Sequence, residues 1–428
     1  MKHSVEEVVL ENGMRGLLID VPEATVMNFR LNLRAGDYFA PPEQVEAAHL
    51  MEHMVLGANE RIRSARKFNA EFQKNGAYNN AITSYVSMDY VAECADFEWE
   101  RILDLLLLSM SKPYFNQEEF EAEFGNVKEE LTGYLNNHNR ILHDELAQQF
   151  DASGRYKTDT DHLETLKNVD IAAVKAHYKK THHSDNIRFV IAGRIHGRRK
   201  RIEQLLSEAE FGRGERFAYP TAAVKGLQKP YYVERQEFKN VLFGLRTFKL
   251  RRLSDNEQDA LSMVDTMLTD TLHSLILGEA REKGLVYSVW SAFDPGANAT
   301  SWDFGAQVSK QNIEALFEII IRQVQRIQKG DIDKDDIEMA KQYRLGAFQM
   351  GSQTVGSFVR RYGGRYFFDG TIDDYSAIPE RIKSVNKTRM VDAVRTMFED
   401  DTWGIGILSN DQEAYAEELR KKLEVLWH

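Results

Sequence analysis

The chain has 428 residues, of which 43% are hydrophobic and 28% charged, so it is long enough for two or three domains with substantial cores. Its 55 basic and 66 acidic residues leave a net charge of −11, which argues against broad, unspecific binding of nucleic acid. A single cysteine, Cys94, excludes an internal disulfide and a cysteine-rich zinc site. A metal site must therefore use histidine and carboxylate ligands.

The N-terminal residues contain early acids and lack the apolar core of a signal peptide. The longest apolar cluster, around Leu105 to Leu108, is too short to span a bilayer. We therefore expect a soluble, cytoplasmic protein with no membrane or nucleic-acid partner.

The first half of the chain predicts the order strand, helix, strand, helix, helix. Residues 27–34 alternate apolar and polar side chains, which is typical of a strand with one buried face. The elements that follow are a helix after Pro41-Pro42, an extended run at 85–94, and helices at 98–110 and 118–135.

The second half repeats this order of elements, and Gly284 would match Gly76. Its predicted elements are a strand at 241–248, a helix at 260–277, an extended run through 302–308, and helices at 313–327 and 335–348. We therefore predict an α+β fold of two homologous domains, each an antiparallel or mixed sheet packed with helices. The expected limits are residues 1–211 and 231–428, joined by a linker at 212–230. The alternative is two unrelated α+β domains of similar size.

Within residues 47–56 the polar side chains are His49, Glu52 and His53. At 3.6 residues per turn they share one face of an otherwise apolar helix. Such a face could be an ordinary solvent-facing stripe. Two histidines four residues apart, however, present two imidazole nitrogens to one point, which favours a metal site.

A catalytic zinc needs a third protein ligand, and the predicted helix at 118–135 offers carboxylates. Glu123 and Glu130 lie beside its apolar stripe, whereas Glu129 falls on the opposite face. A carboxylate at the edge of a buried stripe is costly unless it is paired or metal-bound. This favours Glu130 as the third ligand, with Glu123 two turns away as a supporting neighbour.

These motifs together resemble one family of metallopeptidases. His49-Leu50-Met51-Glu52-His53 is an inverted zinc motif, and the segments 76–83 and 281–288 continue the likeness. With the two glutamates that follow the motif, the chain resembles the pitrilysin/insulinase family over nearly its whole length. Its size resembles the short branch of that family, which includes the mitochondrial processing peptidase and many bacterial members. The sequence departs from the family pattern at Glu46-Ala47-Ala48, where many members have a glycine.

The resemblance implies one zinc ion per chain, bound by His49, His53 and Glu130. It also implies that Glu52 is the general base and that Glu123 supports the site without being an obligatory ligand. The fold that it implies is like that of the processing peptidases, with two similar α+β domains in each subunit.

The segment Asn80-Ala81-Ile82 resembles the edge strand on which family members bind substrate as an added strand. The alternative is an ordinary turn that enters a strand. Arg281 and Tyr287 resemble an arginine and a tyrosine with which the family's C-terminal half holds substrate and the oxyanion. Five residues separate them here instead of the usual six, and the alternative is a partly buried strand tyrosine beside a surface arginine.

The predicted function is a zinc-dependent endopeptidase or oligopeptidase that cleaves extended peptides inside a clamshell of two subunits. The presence of both Arg281 and Tyr287 favours a homodimer, and a heterodimer with a related subunit stays open. The alternative function is a non-catalytic or partner subunit of a heterodimeric processing peptidase, which assembles or presents substrate.

Four other features are interpreted as structural. Cys94 is expected to pack in an apolar strand, and residues 194–201 to form a solvated basic loop leading into a surface helix. His182-His183 is expected to be a surface turn, and Gly363-Gly364 a turn that ends a helix.

Overall fold

The structure, a computed structural model, describes residues 1–410 and 414–427. Strands and helices alternate through the first half of the chain. In order they are β1 (Ser4–Val9), β2 (Arg15–Asp20), β3 (Val26–Leu33), α1 (Ala47–Val55), α2 (Ala65–Gln73), β4 (Tyr78–Thr83), β5 (Met88–Ala95), α3 (Trp99–Ser111), α4 (Gln117–Tyr134), α5 (His138–Phe150), α6 (Asp159–Thr165), α7 (Ile171–Thr181), β6 (Arg188–Gly193) and α8 (Arg199–Glu208).

The second half contains a similar series. In order the elements are β7 (Tyr231–Glu234), β8 (Val241–Lys249), α9 (Asp255–Asp265), α10 (Leu277–Glu282), β9 (Val286–Pro295), β10 (Thr300–Val308), α11 (Ile313–Gln328), α12 (Lys334–Met350), α13 (Val355–Asp369), α14 (Ile378–Ser384), α15 (Lys387–Met397), β11 (Trp403–Ser409) and α16 (Ala414–Leu423). A π-helical turn, Thr266–Asp270, follows α9 directly. Among the described residues, no helix is both long and apolar enough to cross a membrane.

The chain divides into two compact units, each built from three separate segments. Unit 1 consists of residues 1–133, 159–219 and 350–373, and unit 2 takes the remaining described residues. Each half of the chain therefore contributes one long helix to the unit that is built mainly from the other half. Helix α5 belongs to unit 2, and α13 belongs to unit 1.

Each unit is built around one mixed sheet. The six strands of unit 1 lie in the order β1-β2-β6-β3-β5-β4, and the five of unit 2 in the order β7-β11-β8-β10-β9. In both sheets one pair is parallel, β2 with β6 and β7 with β11, and the other neighbours are antiparallel. Apart from β1, the two sheets match strand for strand. The prediction of two α+β units of one kind, with mixed sheets packed by helices, is confirmed.

The strand predicted at 27–34 is more buried than its alternating pattern indicates. Its apolar residues are buried, as expected, but Asn28 and Asn32 on the other face are only 6% and 4% exposed. Helix α13 packs on this side of the sheet, against β3 and β6. The prediction of a half-buried strand was wrong because the covering helix comes from a distant part of the sequence.

Helix α13 also contradicts the prediction that Gly363-Gly364 ends a helix. Thr354 caps its N-terminus by accepting a hydrogen bond from the backbone N–H of Ser357, and the helix runs through both glycines to Asp369. Gly370, with a φ of +81°, is the residue that ends it, because glycine adopts the left-handed conformation without a Cβ penalty.

Two of the remaining structural interpretations hold and one does not. Cys94 is buried in β5, and the basic segment after residue 193 leads into helix α8, as expected. The histidine pair at 182–183 is not a surface turn, since the two residues are 5% and 8% exposed. His182 Nε2 lies 2.9 Å from the Tyr90 hydroxyl, which provides the partner that a buried imidazole requires.

Candidate metal centre

The predicted histidine motif lies on the nine-residue helix α1 in unit 1. The helix packs against α7 and β4. It does so through a buried apolar face made of Ala47, Ala48, Leu50, Met51, Met54 and Val55. His49 and His53 lie on the other face, one turn apart, with their ring centres 4.8 Å apart. The spacing of the apolar residues thus orients both imidazoles toward the same side.

The third predicted ligand comes from α4. Glu130 Oε2 lies 3.8 Å from His49 Nε2 and 3.7 Å from His53 Nε2. One ligand atom from each of these residues falls within 4.8 Å of the others. The structure therefore brings together the three side chains that the sequence predicts as ligands.

The far nitrogens of the two imidazoles are held by carboxylates. His49 Nδ1 lies 3.0 Å from Glu46 Oε2, and His53 Nδ1 lies 2.9 Å from Glu123 Oε2. Asn126 also donates to Glu123 Oε2, at 3.2 Å. Because each Nδ1 contacts a carboxylate, each Nε2 is directed toward Glu130. Glu123 thus contacts His53 on the side away from Glu130, and its supporting role at a metal site stays a prediction.

A second layer behind His49 was not predicted. Glu46 is 1% exposed and also accepts a hydrogen bond from His162 Nδ1, 116 residues further along the chain. His162 Nε2 in turn lies 4.0 Å from Asp37 Oδ2. The position of Glu46 three residues before His49 is a local signal for this contact. His162 and Asp37 carry no such signal, because the fold alone brings them near α1.

The carboxylates shift the pKa values of this site. Burial lowers the pKa of His49, but the hydrogen bond to Glu46 and the charges of Glu46, Glu52 and Glu130 outweigh burial and raise it to about 9. Burial raises the pKa of Glu46, yet its hydrogen bonds from His162 and His49 bring it down to about 2.

Two further carboxyl groups respond differently to the same surroundings. The hydrogen bond from His53 lowers the pKa of Glu123, whereas burial raises that of Asp37 to about 7. The charged carboxylates around the two imidazoles favour a cation between them.

Glu52 lies on the same helix and is 8% exposed. Thr83 Oγ1, at the end of β4, donates a hydrogen bond to Glu52 Oε2 at 2.7 Å. This bond ties the predicted general base to the strand that is predicted to bind substrate. Thr83 directly follows the predicted substrate-binding segment 80–82, and no local pattern in the sequence indicates its contact with Glu52.

The predicted substrate strand is β4, the last strand of the six-stranded sheet. Ala81 is buried, whereas Asn80 is exposed and Ile82 is 53% exposed. An edge strand presents backbone groups to which a further strand can pair. The location is therefore the one that strand addition requires, and peptide binding there stays a prediction.

Arg281 and Tyr287 lie in unit 2, at the end of α10 and in β9. Arg281 Nη1 donates to the Tyr287 carbonyl at 2.8 Å, and its guanidinium carbon lies 5.1 Å from the centre of the Tyr287 ring. Tyr287 is 87% exposed, so the alternative of a partly buried strand tyrosine was wrong. The shortened spacing still leaves the two side chains in contact, and their role with substrate stays a prediction.

The ligand set fits a zinc ion. A tetrahedral zinc with bonds of about 2.0–2.2 Å separates its ligand atoms by about 3.4 Å. The Nε2-to-carboxylate distances of 3.7 and 3.8 Å exceed this separation by a few tenths of an ångström, and all three ligand atoms lie within 4.8 Å of one another. Two imidazole nitrogens and one carboxylate oxygen also match the donors of catalytic zinc sites that keep one position open.

Comparison with known proteins defines the class. The family model described as Insulinase (Peptidase family M16) matches residues 16–160, and that described as Peptidase M16 inactive domain matches residues 168–343. Together they cover most of the chain. The protein belongs to the pitrilysin/insulinase family, M16, of peptidases.

Individual relatives agree with this assignment. An uncharacterized zinc protease of Bacillus subtilis is 22% identical over 410 residues, which cover 93% of this chain and 96% of the relative. One of Streptomyces coelicolor is also 22% identical, over 93% of this chain and 87% of its own length. The crystal structure of a protease from Helicobacter pylori has a TM-score of 0.83 at 16% identity, covering 95% of this chain and 100% of that one.

Proposed function

We propose that the protein is a zinc-dependent endopeptidase that cleaves extended peptides. The main support is that His49 Nε2, His53 Nε2 and Glu130 Oε2 lie close together, while each Nδ1 contacts a carboxylate. The zinc proteases among its relatives support the choice of metal.

His49, His53 and Glu130 would hold the metal. When bound, zinc supplies a Lewis acid that polarises the scissile carbonyl and lowers the pKa of a water molecule. The two Nδ1 hydrogen bonds keep the imidazoles in the tautomer that leaves Nε2 free.

Glu52 is placed to move protons. Its carboxylate takes the proton of the attacking water and later delivers it to the leaving amine. The Thr83 hydroxyl donates to one carboxylate oxygen, so it orients the group and leaves the other oxygen for the proton.

Strand β4 would hold the peptide. A substrate that adds to this edge in an extended conformation forms main-chain hydrogen bonds, so sequence preference comes only from the side-chain contacts. Because β4 ends at Thr83, beside Glu52, the added strand would pass the general base. Enclosure of the peptide between two subunits is part of the proposal, and it is tested by sizing the chain at the concentration of the activity assay.

The test is cleavage of a mixed peptide pool, read by mass spectrometry, with the purified protein and two variants. Glu52→Gln is expected to retain zinc and to lose cleavage by about 10²- to 10⁴-fold, because the proton acceptor is gone. Glu129→Gln, on the exposed face of α4, is the matched control and is expected to keep full activity.

Full activity of Glu52→Gln would contradict the mechanism. Zinc binding without cleavage of any peptide by the unsubstituted protein would instead favour the partner-subunit function.

A further inference from the structure

Unit 2 repeats the sheet of unit 1, so the elements of the metal centre have counterparts there. Helix α9 lies in the chain between β8 and the β9–β10 hairpin, as α1 lies between β3 and the β4–β5 hairpin. Helix α12 is the second helix after its hairpin, as α4 is in unit 1. The counterparts of α1, β4 and α4 are therefore α9, β9 and α12.

The carboxylate of the site has a counterpart in Asp265. Ser291 Oγ on β9 donates to Asp265 Oδ1 at 2.7 Å, as Thr83 Oγ1 on β4 donates to Glu52 Oε2 at 2.7 Å. Asp265 and Glu52 are equally buried, each 8% exposed. The same helix-to-edge-strand hydrogen bond is thus present in both units.

The two histidines have no histidine counterparts in unit 2. His49 stands three residues before Glu52 and His53 one residue after it, and the same spacing from Asp265 leads to Ser262 and Thr266. Neutral hydroxyls are poor zinc ligands compared with imidazole. This face of α9 therefore keeps the carboxylate of the motif and lacks its metal-binding nitrogens.

An arginine fills the position that faces these two residues. Arg344 Nη1 on α12 donates to the Ser262 carbonyl at 3.2 Å and to Thr266 Oγ1 at 3.3 Å. In unit 1 it is Glu130 on α4 that faces the two corresponding positions of α1. A carboxylate that binds a cation is thus replaced by a side chain that is itself a cation.

Acidic residues surround the Arg344 guanidinium. Thr266 Oγ1 also donates to Asp270 Oδ2, at 2.7 Å, so Arg344 lies in a polar cluster with two acidic residues. Burial raises the pKa of Asp265 to about 6, although the hydrogen bonds from Ser291 and Trp302 and the charge of Arg344 each lower it.

We propose that unit 2 holds a second copy of the metal centre in which the guanidinium of Arg344 takes the place of the cation. This copy needs no metal, because the positive charge belongs to the chain. A cavity of about 630 Å³ is lined by Thr266, His273 and Met339 among others, so one of the two counterpart positions borders open space. The positive charge of the guanidinium then keeps metal out.

The test restores the ligands in the full chain and counts bound Co²⁺ relative to the unsubstituted protein. The triple variant Ser262→His/Thr266→His/Arg344→Glu is expected to bind one additional ion per chain. The double variant Ser262→His/Thr266→His is the matched control, and it is expected to gain none because Arg344 remains. An equal gain in both variants would overturn the proposal. The comparison uses only the increase in bound Co²⁺ per chain over the unsubstituted protein, so the result does not depend on metal binding in unit 1.

A second measurement tests the role of Arg344 if the two introduced histidines prevent unit 2 from folding. In Arg344→Met, hydrogen exchange of peptides from α9 and α12 is expected to accelerate about tenfold, because the link between the helices is lost. Arg322→Met, which removes an exposed arginine paired with Glu279, is the control and should leave those peptides unchanged. Unchanged exchange in Arg344→Met would refute the assignment.

Discussion

At the scale of single residues, hydrogen bonds to the far side of each imidazole orient the candidate metal ligands. Glu46 and Glu123 each accept the Nδ1–H of one imidazole, which orients both rings. Glu46 binds His162 as well, so its charge compensates two histidines. A sequence motif identifies the candidate ligands, whereas these partners are expected to set their affinity for a metal ion.

Removal of either partner's charge should weaken the metal site. Glu46→Gln and Glu123→Gln are each expected to reduce zinc affinity about 10- to 100-fold, because the imidazole becomes a poorer and less oriented ligand. Competition with a chelator of known affinity measures the change, with Glu129→Gln as the control. Unchanged affinity in both variants would show that the Nδ1 contacts do not support the site.

A buried histidine away from the ligands should make stability depend on pH. His177 Nε2 donates to the Ala35 carbonyl at 2.8 Å, and burial lowers the pKa of His177 to about 4. In the unfolded chain the His177 imidazole binds a proton below about pH 6.5, but in the folded chain it stays neutral until about pH 4. Stability is therefore lost as the pH falls through this window.

His177→Gln keeps a donor for Ala35 and removes the titration. Between pH 7 and pH 5 the unsubstituted protein should lose roughly 2 kcal/mol more unfolding free energy than the variant. Urea unfolding at the two pH values measures the difference. Parallel losses in the two proteins would mean that His177 is protonated in the folded state.

At the scale of elements, the contact between α1 and β4 joins the predicted base to the predicted substrate strand. Thr83→Val keeps the shape of the side chain and removes its hydrogen bond to Glu52. We expect kcat for peptide cleavage to fall about tenfold with zinc content unchanged, because the carboxylate loses a hydrogen bond that orients it.

Thr83→Ser retains the hydroxyl and serves as the matched control, which should stay near full activity. Equal kcat values for the valine and serine variants would mean that the Thr83 hydroxyl does not position Glu52.

Helices α1 and α4 could be predicted because their apolar spacing has a helical period and places the ligands on defined faces. Helix α13 could not be predicted in its place on β3 and β6, since nothing local indicates which sheet a helix covers. The same reason explains Asn28 and Asn32, whose polar character predicts exposure. The contact of Glu52 with Thr83 depends on the β4 register, which the sequence alone does not define.

At the scale of the whole molecule, the two units share one topology but differ in chemistry. Unit 1 brings together two imidazoles and a carboxylate, whereas at the corresponding elements of unit 2 the Arg344 guanidinium contacts the Ser262 carbonyl and the Thr266 hydroxyl. The repeated order of elements predicted the shared topology. The exchange of α5 and α13 between the units could not be predicted, because the sequence places each helix within its own half.

The proposed peptide cleavage depends on a zinc ion held by His49, His53 and Glu130. The most direct measurement strips the metal from the purified protein, adds back zinc in steps, and follows both bound zinc and cleavage of a peptide pool. We predict that cleavage is absent without metal and rises in proportion to bound zinc until one equivalent per chain, with no rise in His49→Ala. Cleavage that persists in the stripped protein, or that returns equally in His49→Ala, would contradict the claim.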